Sequence, residues 1–201
     1  MIKIAVLVSG RGTNLQAIIN AIKKGRIDGE IQVVISDNPK ARALKRALCE
    51  NIPAIVVPFK QYNNKEIYEN ELLNNLKKFQ LDLIVLAGYM RLLGPDIIKQ
   101  YHYRIINVHP ALLPAFPGLH AQRQALNYGV KISGCTVHFV DEGIDSGSII
   151  LQKAVKIKQG DTEETLSRRI SRYEHQILPQ AIQLFAQNKI TIQNKKTYIT
   201  Y

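Results

Sequence analysis

Cysteine is scarce in this chain. Cys49 and Cys135 stand alone among 201 residues, with no Cys-x-x-Cys and no His/Cys cluster. Neither a disulfide framework nor a zinc site is therefore indicated. Also missing is any apolar run approaching the roughly 18 residues that a membrane span needs. The first such run, Ile2 to Val8, has no basic leader before it and no small-residue cleavage site after it. It reads as a buried strand, and a cytoplasmic location is expected. Internal repeats, low-complexity stretches and linkers are absent too, so a single domain is expected at this length.

Acidic residues are in the minority. There are 27 Lys and Arg against 16 Asp and Glu, a formal net charge of +11. The basic residues are dispersed, without the long like-charged block or aromatic-laced stripe that binding to single-stranded nucleic acid favours. The charge is either a solvated surface or an attraction for small polyanions.

What is present is an alternation of short β-branched runs and amphipathic segments. Strands are predicted at Ile2–Val8, Ile31–Ser36, Ala54–Val57, Leu83–Ala87 and Arg104–Val108. Helices are predicted between them at Asn14–Lys24, Lys40–Glu50 and Asn63–Phe79. The last of these carries Tyr68, Leu72, Leu76 and Phe79 along one face. This rhythm implies βαβ units around a mostly parallel twisted sheet with helices on both faces. Ligands of such sheets sit outside the carboxyl ends of the strands. The second half is of mixed character. It has two long strand-like runs, Ile132–Val140 and Ile149–Ile157, then a helix starting near Asp161-Thr162-Glu163-Glu164, which Pro179 should kink or end. A hairpin is expected at Lys189–Tyr201, turning near Asn194-Lys195.

Three loops at strand ends carry candidate chemistry. Ser9-Gly10-Arg11-Gly12-Thr13-Asn14 joins the first strand to the first helix. Backbone amides there and the helix N-terminus can hold a phosphate, or the loop is a tight turn with a helix cap. Leu15 occupies the place of the third glycine of a dinucleotide fingerprint, and no Gly-Lys-Ser/Thr follows, so NAD and ATP loops are both excluded. Asn107-Val108-His109-Pro110 closes the fifth strand, where period-2 alternation turns the Asn107 amide and the His109 imidazole to the same side. An amide N–H that stabilises an oxyanion and an imidazole that shuttles a proton suit acyl transfer. Asp145, in a glycine-containing loop, is the best candidate for an orienting carboxylate that raises the histidine pKa. The plainer alternatives are a structural Asn-x-His and an aspartate that caps a turn. His138, His120 and His175 read as structural.

Taken together, these segments resemble the folate-dependent formyltransferases. Asn107-Val108-His109-Pro110-Ala111-Leu112-Leu113-Pro114 is similar to the signature of that family. The resemblance extends to Ser9–Ile18, Leu86–Leu93, Gly134–Val140 and Asp145-Ser146-Gly147. The continuation Ala115-Phe116-Pro117-Gly118-Leu119-His120-Ala121 resembles the branch acting on phosphoribosylglycinamide. The resemblance implies a Rossmann-like formyltransferase fold in one domain, residues 1–201. Residues 1–100 would be its ribonucleotide phosphate-binding half and residues 101–201 its catalytic and folate-binding half. It implies 10-formyltetrahydrofolate as co-substrate with no metal, small-molecule partners only, no nucleic acid, no membrane, and a monomer or weak homodimer. Matched residue by residue, Asn107, His109 and Asp145 fall on catalytic positions. Gly12, Thr13, Asn14 and Glu174 fall on ribonucleotide positions, while Lys65, Met90, Arg91, Leu92, Leu93 and Asn107 fall on folate positions. Lys65 stands where the family commonly has arginine, and lysine lacks the planar fork that grips a carboxylate. Formylation of methionyl-tRNA and hydrolysis of formyltetrahydrofolate are the rival enzyme readings; the first would need a further C-terminal domain and the second a further N-terminal one. A non-catalytic nucleotide- or RNA-binding module is the rival outside enzymes.

Overall fold

The computed structural model describes residues 1–200, so Tyr201, the last residue of the predicted hairpin, lies outside the described residues. The chain divides into two compact units, residues 1–106 and 107–201.

The first unit alternates strand and helix: β1 (Ile2–Val8), α1 (Thr13–Lys23), β2 (Gly29–Ser36), α2 (Arg42–Cys49), β3 (Ala54–Val56), α3 (Lys65–Lys77), β4 (Leu83–Leu86) and α4 (Pro95–Gln100). Its pairings are parallel, β1 with β2, β1 with β4, and β2 with β3. Ile4, Ala5, Val6, Leu7 and Val8 are all fully buried, although alternate residues face opposite sides of the sheet. Burial on both faces is what a parallel sheet covered by helices requires, and it explains the unbroken apolar run. In α3 three of the four predicted stripe residues, Tyr68, Leu72 and Leu76, are in the core, while Phe79 lies beyond the helix end and is half-buried; the Asn64 side chain accepts from Ile67 N–H at the N-cap, 2.8 Å away.

The second unit holds most of β5 (Ile105–His109), then α5 (Ala121–Tyr128), β6 (Ile132–Phe139), β7 (Ile149–Lys156), α6 (Glu163–Ala186), β8 (Ile190–Gln193) and β9 (Lys196–Ile199). β6 and β7 pair antiparallel, as do β8 and β9, where Asn194 and Lys195 take the left-handed conformation of a tight hairpin turn. The strands are ordered β3-β2-β1-β4-β5-β6-β7 in one seven-stranded sheet, with β8-β9 as a small second sheet. The mostly parallel α/β architecture expected from the sequence is the one observed.

Two local expectations need correction. Of the two outcomes expected at Pro179, a kink or an end, the end is not found: helix α6 runs through it to Ala186. Proline inside a helix costs roughly 3 kcal/mol or more. Beyond it Ile182 is fully buried and Leu184 nearly so, and burial of each such side chain returns about 1.5–3 kcal/mol. The helix start is as expected near Thr162, where the Thr162 and Thr165 side chains cap each other's backbone N–H reciprocally. Helices α4 and α5 have no counterpart in the sequence reading. Pro95 at the first turn of α4 and left-handed Gly129 at the end of α5 are the signals that mark them.

Order reverses at β1, which lies between β2 and β4. The loops leaving the carboxyl ends of β1 and β4 therefore meet at a switch point, where open α/β sheets bind ligands. Ser9 joins them. Its N–H donates to Gly88 O at 3.2 Å, and its Oγ accepts from Met90 N–H at 3.0 Å. Asn38 Nδ2 donates to the Ser9 carbonyl at 3.1 Å.

Candidate active site

In the second unit, Asn107 and His109 leave the end of β5 on one side, as alternation requires, and Asp145 comes back to meet both. His109 Nδ1 lies 3.2 Å from Asp145 Oδ2. Asn107 Nδ2 donates to Asp145 Oδ1 at 3.4 Å. Asp145 itself sits at φ 51, a left-handed conformation that aspartate tolerates better than most residues, and it also accepts from the Gly118 N–H at 2.8 Å. The three residues expected to act together are thus in contact.

A fourth member is His138 on β6. Its Nε2 is 3.5 Å from Asp145 Oδ1 and 3.2 Å from Asn107 Nδ2, while Nδ1 donates to the carbonyl of Phe139 at 2.8 Å. Nδ1 is committed to that carbonyl, so Nε2 is the ring atom that faces both the Asn107 amide and the Asp145 carboxylate. Sequence reasoning treated His138 as structural. The signal available was its place in the Gly134–Val140 segment, but the contact depends on strand order, which one strand does not reveal.

Phe116 supplies the other missed contact. His109 Nε2 donates to the Phe116 carbonyl at 2.8 Å. Phe116 has φ 57, a conformation costing on the order of 1–3 kcal/mol for a non-glycine residue. The left-handed turn at Phe116 is what aims that carbonyl at the imidazole.

Electrostatically the centre is a buried acid–base pair. Burial by itself pushes the Asp145 carboxyl up, but hydrogen bonds from His138 and the Gly118 N–H, with the charges of both histidines, hold it net below the usual carboxylate range. Asp145 is therefore ionised. For His109, burial is the largest effect and lowers its pKa. Asp145 and the Phe116 carbonyl pull it upward, as expected of the carboxylate, but they do not overcome burial. A neutral imidazole has one N–H, yet His109 faces an acceptor at each nitrogen. Only the protonated ring donates to both. The site thus keeps the ring neutral at rest and holds two acceptors ready for the proton it takes up.

Glu174 is buried on α6 and lies near Cys135, whose thiol is pushed up to about 12, first by burial and then by the Glu174 charge.

In the first unit, the Ser9–Asn14 segment is the β1–α1 turn. Gly12 is the left-handed N-cap of α1 (φ 72), so no side chain caps the helix and no acidic residue lies in its first turn. Thr13 and Asn14 open the helix, with Asn14 buried. In the segment after β4, Met90 and Leu92 are exposed and Leu93 is buried. Arg91 is held on two sides: its Nε donates to Asp37 Oδ2 at 2.7 Å, and its guanidinium stacks 3.6 Å from the Phe59 ring centroid. Lys65 opens α3, 3.3 Å from Glu69 and mostly exposed.

Residues 2–182 match the formyl transferase family. The chain is 44% identical over 182 residues to phosphoribosylglycinamide formyltransferase of Bacillus subtilis, covering 90% of this chain and 93% of that one. It is 47% identical over 182 residues to the trifunctional purine biosynthetic protein adenosine-3 of Drosophila melanogaster, covering 90% of this chain but spanning only 14% of that much longer protein. Among solved structures, glycinamide ribonucleotide transformylase 1 from Symbiobacterium toebii superposes with a TM-score of 0.97 at 49% identity, covering 99% of this chain and 94% of that one. The chain belongs to the formyl transferase family.

Proposed function

We propose that this protein transfers the formyl group of 10-formyltetrahydrofolate to the amine of 5'-phosphoribosylglycinamide, a step of purine synthesis. The observation that carries the reading is the contact of an ionised carboxylate, a buried neutral imidazole and an amide at the end of β5. Attack of the amine on the formyl carbon forms a carbon–nitrogen bond and leaves a negative oxygen and a positive nitrogen. The Asn107 amide turns an N–H to that oxygen, giving up one of its resting contacts. One such donor typically contributes ~3–4 kcal/mol to the transition state. Neutral His109 takes the proton from the attacking nitrogen and returns it to the folate nitrogen as the carbon–nitrogen bond to the folate breaks. Asp145 stabilises the intervening imidazolium.

The remaining assignments belong to the same reading. The amides of Gly12, Thr13 and Asn14 hold the ribonucleotide phosphate, and Glu174 contacts the ribonucleotide. Met90, Arg91, Leu92 and Leu93 serve the folate with Asn107, with Lys65 as a charged contact. The formyl folate is consumed as a co-substrate, and the chemistry asks for no metal. The partners are small molecules, the location is the cytoplasm, and the protein acts as a monomer or weak homodimer. Support comes from the likeness to phosphoribosylglycinamide formyltransferases along nearly the whole chain.

The test is release of tetrahydrofolate from 10-formyltetrahydrofolate, with and without the ribonucleotide. Release only in its presence, with one formylated product per folate, is expected. Equal release without it would assign hydrolysis instead.

A further inference from the structure

Helix α2 lies behind the glycine loop and grips it by its carbonyls. The Ala43 N–H donates to Gly10 O at 3.1 Å, and Arg46 Nε donates to Arg11 O at 3.0 Å. The second arm of the Arg46 guanidinium, Nη1, donates to Gln16 Oε1 on α1 at 2.9 Å. In a trans peptide the C=O and the N–H of one unit point in opposite directions. Fixing the carbonyls of Gly10 and Arg11 against α2 therefore turns the next two N–H groups, those of Arg11 and Gly12, to the opposite side. Successive amides facing one way around a left-handed residue form an anion-binding concavity. The packing is close: a Cβ on Gly12 would lie 2.7 Å from Ala43 Cβ.

We infer that Arg46 is a positioning residue for the ribonucleotide phosphate, acting through the backbone of the glycine loop rather than by touching the ligand. This rests on the phosphate role assigned to that loop above. Arg46 is suited to the task because one rigid fork spans two acceptors, the Arg11 carbonyl and Gln16, and so ties the loop to both flanking helices. Lysine would keep the charge and satisfy only one of them.

The experiment is calorimetric titration of the intact chain with the ribonucleotide and with its dephosphorylated ribonucleoside. Wild type should favour the phosphorylated ligand; equal binding of the two by wild type would overturn the phosphate role of the loop itself. Given that preference, Arg46→Gln should weaken the ribonucleotide about tenfold, the loss of a charged hydrogen bond, and leave the ribonucleoside and the folate within about twofold. Arg46→Lys should recover part of the loss. Equal weakening of both ligands would make Arg46 a general tether, and full recovery by lysine would make charge alone responsible; either result overturns positioning. Gln16→Ala removes one anchor of the fork without touching the loop. It should weaken the phosphorylated ligand selectively by about threefold, and it carries the test if Arg46→Gln fails to fold.

Discussion

The cluster around Asp145 is built mainly of side chains, whereas the loop from Ser9 to Gly12 is built mainly of backbone. In the cluster each polar group is specified by identity: a carboxylate that accepts, an amide that donates, an imidazole that changes role with its proton. In the loop identity matters mainly by what it leaves out, since Gly12 supplies a left-handed turn and room for Ala43. The first kind of site is lost by changing a functional group. The second is lost by adding a methyl group or loosening a support.

That contrast can be broken experimentally, most strongly at His109. His109→Ala should reduce turnover by about 10²–10⁴-fold, with an unchanged circular dichroism spectrum and a near-constant KM for the ribonucleotide. Retained turnover would falsify the proton-transfer assignment. Asp145→Asn should reduce turnover by roughly a hundredfold and move the acidic limb of the pH–rate profile. The sign follows from the causes. Burial already holds the His109 pKa below its ordinary value, and Asp145 is the main upward pull against it. Removing the carboxylate lets burial act with less opposition, so the limb shifts to lower pH. A shift to higher pH, or none, would sever Asp145 from His109. Stability carries the same sign: the unfolded chain takes up the His109 proton first, so this contribution is lost as pH falls below the ordinary histidine range.

The loop is broken differently. Gly12→Ala forces a Cβ against Ala43 at a left-handed φ, which should cost about 1–3 kcal/mol in urea unfolding. The ribonucleotide KM should rise several-fold more than the folate KM; equal rises would remove the contrast. The smallest expected effect sharpens it: His138→Leu should lower kcat by about three- to tenfold with both KM values unchanged, because Asn107 loses the ring contact that steadies its amide. A rise in KM alone would place His138 outside the chemistry.

Much of this was legible from residue order, for reasons that differ by element. β1 and α3 announce themselves because burial on a fixed period leaves an apolar trace. α4 and α5 are short, with two core residues apiece, and leave almost none. Pro179 misleads because the local rule is true but is outweighed by apolar burial farther along α6. At the site, Asn107 and His109 share a side by strand geometry alone. Asp145, 36 residues beyond His109, is suggested by its glycine-containing loop but reached mainly through family resemblance, because no local rule says where a loop returns. His138 and the Phe116 carbonyl were invisible for the same reason: one needs the order of the strands, the other a backbone angle that phenylalanine rarely adopts.

The strand order also decides what the sheet offers to other chains. Its outer strands are β3 and β7, and an unpaired strand edge is a template on which another copy can add. β3 presents only three residues. β7 is longer, but Gln152, Lys153 and Lys156 are exposed along it, and the hydroxyl of Thr197 on the terminal hairpin donates to the carbonyl of Ile149 at its start. A foreign strand docking there would have to bury lysine charge and displace that hydroxyl. The hairpin of β8 and β9, remote in sequence from the Asn107, His109 and Asp145 cluster, thus caps the start of the longer edge strand with a side-chain hydrogen bond.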